Sequence, residues 1–239
     1  MLAAISLGMG LLSLGVLLAW SRHRADTLGR ARGFPVIGVA VPAVLMVLTA
    51  VPVVRHHRLE GRLSDVASEL AGLRVDVICQ TLGESWVDAR PEPGYVRITS
   101  DGRPERRATI TLQTCNDLQD WLRSDRSSPS PDQVMAVHIL THESMHMRGT
   151  LQEDLTECAA VQRDVRTAEL LGATGDQARD LALTYWTDLY PRMPDAYRTS
   201  ECSPGGELDE NLQTSPWNLV AAGTAGAGTA ARVPGPWES

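Results

Sequence analysis

The sequence predicts an α+β protein: an N-terminal two-helix transmembrane hairpin, then a small domain in which a short antiparallel sheet precedes a helical hairpin and further helices. Three observations carry this expectation. Two uncharged apolar runs, Met1 to Trp20 and Phe34 to Val54, open the chain. Alternating stretches punctuated by turn residues follow between Val75 and Leu112, and helix-start signals recur after Cys115. The expected boundaries are residues 1–62 for hairpin and stalk, 63–210 for the globular domain, and 211–239 for a flexible tail rich in Gly, Ala and Pro.

Each apolar run is about the 20 residues that a helix needs to cross the hydrocarbon core, with spans expected at about 2–20 and 34–54. A cleaved signal peptide would show a basic leading region and a small-residue cleavage site near Ala19, and neither is evident. Arg22, His23, Arg24, Arg30 and Arg32 lie between the runs with Asp26 as the one acid, a basic loop of the kind retained in the cytoplasm. That loop places the remainder outside the cytoplasm of a cell membrane, against the weaker opposing pull of Arg55, His56, His57, Arg58 and Arg62. All 22 basic residues are arginine, a bias that suggests a high-GC bacterial source. The net charge of -7 divides unevenly: residues 1–62 carry seven arginines against Asp26 and Glu60, while residues 63–239 carry fifteen against 27 acids. A domain this acidic repels phosphate backbones, which argues against a nucleic-acid partner.

Arg55 to Leu73 reads as an amphipathic stalk helix, with Leu59, Leu63, Val66 and Leu70 at helical spacing. Strands are expected at Val75–Cys79, Ser85–Ala89, Tyr95–Thr99 and Ala108–Leu112, separated by Pro91-Glu92-Pro93-Gly94 and Ser100-Asp101-Gly102. A short helix near Asn116–Arg123 follows. Ser130-Pro131-Asp132-Gln133 is a strong start signal, with Ser as N-cap, Pro at the first helical position and Gln three residues past the cap; this helix should reach Arg148 and stop at Gly149. Thr150-Leu151-Gln152-Glu153 repeats the pattern and predicts a second helix to Leu171, and Thr174 to Gln177 opens a third that stops before Pro191. Cys79, Cys115, Cys158 and Cys202 all follow the apolar runs. Of the three possible pairings, Cys79 with Cys115 and Cys158 with Cys202 ties neighbouring segments and is the one expected in an oxidising space, with four free thiols as the alternative.

The chemistry centres on His142-Glu143-Ser144-Met145-His146. On a helix the two histidines stand one turn apart on one face, so both can reach one zinc ion, with Glu143 placed as general base for a zinc-activated water. The same helix carries His138, the third of the three histidines outside the N-terminal region. His138 and His146 are about 12 Å apart along the axis, too far for one tetrahedral ion, so His138 is expected to support the site or the fold. The third ligand should come from the next helix. Glu157 is favoured because it lies level with His142 in an antiparallel hairpin, and Glu153, the alternative, already has a role as capping partner of Thr150. Asp154 and Asp164 are positioned to orient the imidazoles or simply to face solvent.

These residues resemble the zincin superfamily of zinc metallopeptidases, and Glu157-Cys158-Ala159-Ala160 is similar to the Glu-x-x-Ala signature of its gluzincin branch. The resemblance is firm over about 20 residues. It implies one zinc ion held by His142, His146 and Glu157, with Glu143 as the catalytic residue and a peptide or protein as substrate. This chain departs from the pattern in its short spacing between His146 and Glu157, in Arg148, and in the lack of a later histidine to steady the oxyanion; Tyr185, Tyr190 or Tyr197 could serve instead. The resemblance to the metzincin branch is weaker: Gly149 fits its His-x-x-Gly continuation, but Gln152 stands at the position of its third histidine. The competing expectation is a non-catalytic binding module of the cell envelope, stabilised by metal or disulfides.

Overall fold

The computed structural model describes residues 2–23, 33–87 and 92–220, so the arginine-rich connection after His23, the Pro91 turn residue and the end of the tail lie outside the described residues. The chain divides into two compact units, Met1–Leu59 and Glu60–Ser239. The protein is mostly helical with one small sheet.

In the first unit, α1 (Leu2–Arg22) and the leading part of α2 (Val36–Ala71) are both long and apolar enough to cross a membrane. They run antiparallel, and the few polar side chains are satisfied across the pair. Ser6 Oγ donates to the Met46 carbonyl at 3.2 Å, Ser13 Oγ to Val39 at 3.1 Å, and Trp20 Nε1 to Gly33 at 3.2 Å. Without water in a hydrocarbon core such groups must find protein acceptors. The stalk is not separate: α2 continues to Ala71 as one helix, because no breaker interrupts the Leu63, Val66, Leu70 stripe, whose members are buried.

The second unit takes its sheet from β1 (Asp76–Cys79), β2 (Gly94–Ile98) and β3 (Pro104–Ile110), in the order β1-β3-β2. The expected sheet was antiparallel with four strands; the observed one is mixed with three, since β1 pairs parallel to β3 and only β2 pairs antiparallel. The expected strand Ser85–Ala89 accounts for the difference as far as Val87, since residues 88–91 lie outside the described residues. Thr81 and Glu84 close a capping box, with Glu84 Oε2 accepting from the Thr81 amide at 2.8 Å, and this folds Leu82–Ser85 into a helical turn, α3. Local capping outweighs the β-propensity of Trp86 and Val87, which end up exposed. The chain then crosses to the far edge, so β1 meets the central strand parallel. Val77, Cys79, Ala108 and Ile110 point to the buried face, towards the helices.

The helical half follows its caps. α4 spans Leu112–Arg123, starting earlier than expected because Thr111 Oγ1 accepts from the Thr114 amide at 3.3 Å. α5 spans Pro131–Arg148 with the Ser130/Gln133 box formed and Gly149 at φ 127° ending it, as the sequence indicated. Enclosed by the sheet, α4 and the later helices, α5 is buried almost all round. The expected second helix is two, α6 (Glu153–Val161) and α7 (Asp164–Leu170), broken at Gln162 and Arg163. Gln162 is fully buried and holds the segment after residue 207: its Nε2 donates to the Leu208 carbonyl at 2.9 Å and its Oε1 accepts from the Glu210 amide at 2.9 Å. α8 spans Gly175–Thr184 and runs on as tighter and wider turns through Arg192. Both expected disulfides are present, Cys79–Cys115 and Cys158–Cys202. Packing extends past residue 210: Ser215 and Trp217 are buried, and Thr214 Oγ1 donates to the Gln162 carbonyl at 3.0 Å.

Candidate metal centre

Three histidines at intervals of four place His138, His142 and His146 along one face of α5, opposite α6. His142 Nε2 and His146 Nε2 approach to 3.0 Å. The other nitrogen of each ring is committed. His142 Nδ1 lies 3.0 Å from Glu157 Oε2 and His146 Nδ1 lies 2.8 Å from the Thr150 carbonyl, both acceptors, so each Nδ1 is a donor. In neutral rings the two Nε2 atoms therefore aim lone pairs at each other. Glu153 Oε2 adds a negative charge 3.1 Å from His142 Nε2 and 3.4 Å from His146 Nε2. A proton on His142 Nε2 shared with Glu153, or a cation between the three atoms, relieves this: burial opposes charge on His142, but Glu153 and Glu157 raise its pKa to about 9, and nitrogen ligands at 2.0 to 2.1 Å in tetrahedral geometry stand about 3.3 Å apart. His142, His146 and Glu153 are thus one group of ligand atoms that can hold a metal ion. Glu153, with a side chain 40% exposed, leaves the point open to solvent on one side. Its hydrogen bonds to His142 and His146 hold its carboxyl down at about 2.

Glu143, one position on from His142, turns towards the sheet. It is buried, and its Oε2 has no hydrogen-bond partner. Burial pushes its pKa up to about 7 against the opposing pull of His142 and His146. A Cβ on Gly94, the first residue of β2, would lie 2.9 Å from Glu143 Oε1, so only glycine lets this edge strand pass so close to the carboxylate. Tyr197 tilts its ring over His142 at 5.8 Å. A cavity of about 500 Å³ opens beside α5, lined by Glu92, Pro93, Asp117, Asp132 and Ile139 among others.

A second group lies deeper. His138 Nε2 is 3.0 Å from Glu157 Oε2, His138 Nδ1 is 2.9 Å from Asp164 Oδ2, Tyr185 stacks on the His138 ring at 3.6 Å, and the Tyr185 hydroxyl donates to Glu157 Oε1. His138, His142 and Glu157 also form a group that could hold a metal ion, and all three are buried. Burial opposes charge on His138, but Glu157 and Asp164 outweigh it and raise its pKa to about 10. Burial likewise opposes ionisation of Glu157, yet His138 and His142 hold its carboxyl well below the usual range. His138 and Glu157 are hydrogen-bonded within this enclosed group, while Asp164 Oδ1 is buried without a partner.

Of the residues expected at the site, His142, His146 and Glu143 share α5 as anticipated. Glu157 reaches His142, but through Nδ1, while His146 meets Nε2 of the same ring. One imidazole cannot turn both nitrogens to one ion, so the set His142, His146 and Glu157 does not converge on a point. Glu153 does converge with the two Nε2 atoms. Its expected capping partnership with Thr150 is not formed: α6 begins at Glu153, Gln152 makes no side-chain cap, and the Thr150 carbonyl serves His146. The imidazoles draw the Glu153 side chain away from the backbone. Glu153 precedes Glu157 by one turn and lies nearer the Gly149 corner, a spacing that already hinted at a place beside His146. Asp164 faces His138 rather than solvent, Asp154 bonds the adjacent amide of Leu155, and Tyr190 accepts from the Thr199 amide. Comparison with protein-family models, curated proteins and solved structures returns no match.

Proposed function

We propose that the second unit is a metal-dependent hydrolase of zincin-like type that cleaves peptide bonds, with one divalent ion held by His142, His146 and Glu153. The observation that carries this reading is the 3.0 Å approach of two imidazole nitrogens whose rings are each committed as donors on the far side. Two nitrogens and one carboxylate are a ligand set suited to zinc. Held by His142, His146 and Glu153, such an ion would acidify a water and polarise a carbonyl. Glu143, next to His142 on α5, would serve as the proton carrier between that water and the leaving amine; a pKa near 7 suits both duties at neutral pH. Gly94 lets β2 pass close against the Glu143 carboxylate. Tyr197, whose ring tilts over His142, is the tyrosine we assign to donate to charge that would develop on the substrate oxygen. The two apolar helices anchor the protein in a cell membrane, and two disulfides fit an oxidising compartment outside the cytoplasm.

Elemental analysis of the full chain in detergent, together with turnover of a quenched peptide library, tests the reading. Wild type should hold one equivalent of zinc and cleave. Glu143→Gln should keep its zinc and lose about a hundredfold to ten-thousandfold in rate. A binding module would show full metal content and no turnover in either protein, which would end the hydrolase proposal.

A further inference from the structure

We infer that Asp164 and His138 are positioning residues of the metal centre, acting through Glu157 on the ligand His142. This rests on the proposed ion at His142, His146 and Glu153. The structure places four groups in an unbroken line: Asp164 Oδ2 to His138 Nδ1 at 2.9 Å, His138 Nε2 to Glu157 Oε2 at 3.0 Å, and the same Oε2 to His142 Nδ1 at 3.0 Å. His142 Nε2 then points at the ligand cluster. Glu157 accepts from His138, His142 and Tyr185, and Asp164 Oδ2 lies against His138 Nδ1, so the line fixes the orientation of both rings. His138 donates from both nitrogens, and His142 must donate from Nδ1, which leaves the Nε2 lone pair for the ion.

Geometry and charge give the line its purpose. His138, Glu157 and Asp164 are wholly enclosed, and Tyr185 clamps the arrangement by stacking on His138 and donating to Glu157 Oε1. A carboxylate behind a ligating imidazole holds the ring's orientation and makes it a stronger donor. Here that carboxylate is itself held by an imidazole and a second carboxylate on α7. The line thereby fixes the orientation of the His142 ring and keeps its Nε2 facing His146 Nε2 and Glu153 Oε2.

The test compares zinc affinity, by chelator competition, and the visible spectrum of the cobalt(II)-loaded full chain in detergent. Asp164→Asn and His138→Gln should each weaken zinc about tenfold to a hundredfold and shift the cobalt bands. Tyr185→Phe removes a single hydroxyl and should weaken zinc by a smaller factor, a readout that survives if the other variants misfold. Val165→Ala, which trims a buried apolar neighbour on α7, should lower the melting midpoint without touching affinity or spectrum. Variants that lose only thermal stability, with wild-type zinc affinity and cobalt spectrum, overturn the inference while leaving the metal site intact. A wild-type chain that takes up no zinc overturns both.

Discussion

The two sides of His142 carry the same residue types on the same helices and do different work. On the Nε2 side, His146 Nε2 and Glu153 Oε2 converge on His142 Nε2, and Glu153 stays part-exposed. On the Nδ1 side, Glu157 takes donors from His138, His142 and Tyr185, and solvent reaches none of them. A carboxylate that is fully hydrogen-bonded in the interior is structural glue with an electrostatic reach. One that meets two imidazole nitrogens at the part-exposed rim belongs to a group that can hold a metal ion. Residue type decides neither role; the number of committed hydrogen bonds does.

Sharp tests of this contrast follow from removing each carboxylate in turn. Glu153→Ala should abolish stoichiometric zinc, and turnover with it, yet cost less than about 1 kcal/mol of stability because its surroundings are part-solvated; zinc content and thermal unfolding measured on one preparation check both halves. Glu157→Ala should do the reverse first, costing about 3 to 5 kcal/mol because it removes one of the two carboxylates that hold His138 and leaves the buried Tyr185 hydroxyl and His142 Nδ1 without their acceptor, which denaturant titration reads directly. If the two variants behaved alike, the distinction between rim and interior would fail.

Smaller effects probe the edge strand and the protons. Gly94→Ala should leave zinc bound and lower turnover by up to ~100-fold, since its new methyl displaces Glu143; steady-state kinetics beside metal analysis separates the two. The pH dependence of metal-free stability has a worked sign. His138, whose folded pKa is raised from 6.5 to about 10, contributes stability that is full below 6.5 and is lost as pH rises through 10. Glu153, lowered from 4.5 to about 2, contributes stability that is full above 4.5 and is lost as pH falls through 2. Melting midpoints should therefore decline on both flanks, and His138→Gln should shrink the alkaline decline, leaving the part due to His142, whose pKa is raised to about 9, and shrink the acid decline by relaxing the hold on Glu157.

Much of this was legible in the residues because it depends on near neighbours. The Ser130/Gln133 box, Gly149 and a period of 3.6 set the limits of α5 and put His142 and His146 on one face, with no help from the rest of the chain. Apolar length alone marked the two N-terminal helices, and the spacing of four cysteines suggested the pairs that form. Where two local rules competed, the reading slipped: Thr81 and Glu84 made a turn where β-propensity suggested a strand, and the imidazoles took Glu153 from its expected cap.

Sequence by itself determined the helix that bears the histidines, because hydrogen bonds and caps four residues apart are decided within the segment. Tertiary structure alone decided which nitrogen of His142 meets which glutamate, and that Asp164 turns inward to His138. Those outcomes hang on the axial offset between α5 and α6, where a slide of one turn, about 5.4 Å, exchanges Glu153 for Glu157. That offset is set by packing across the whole core, which no local pattern encodes.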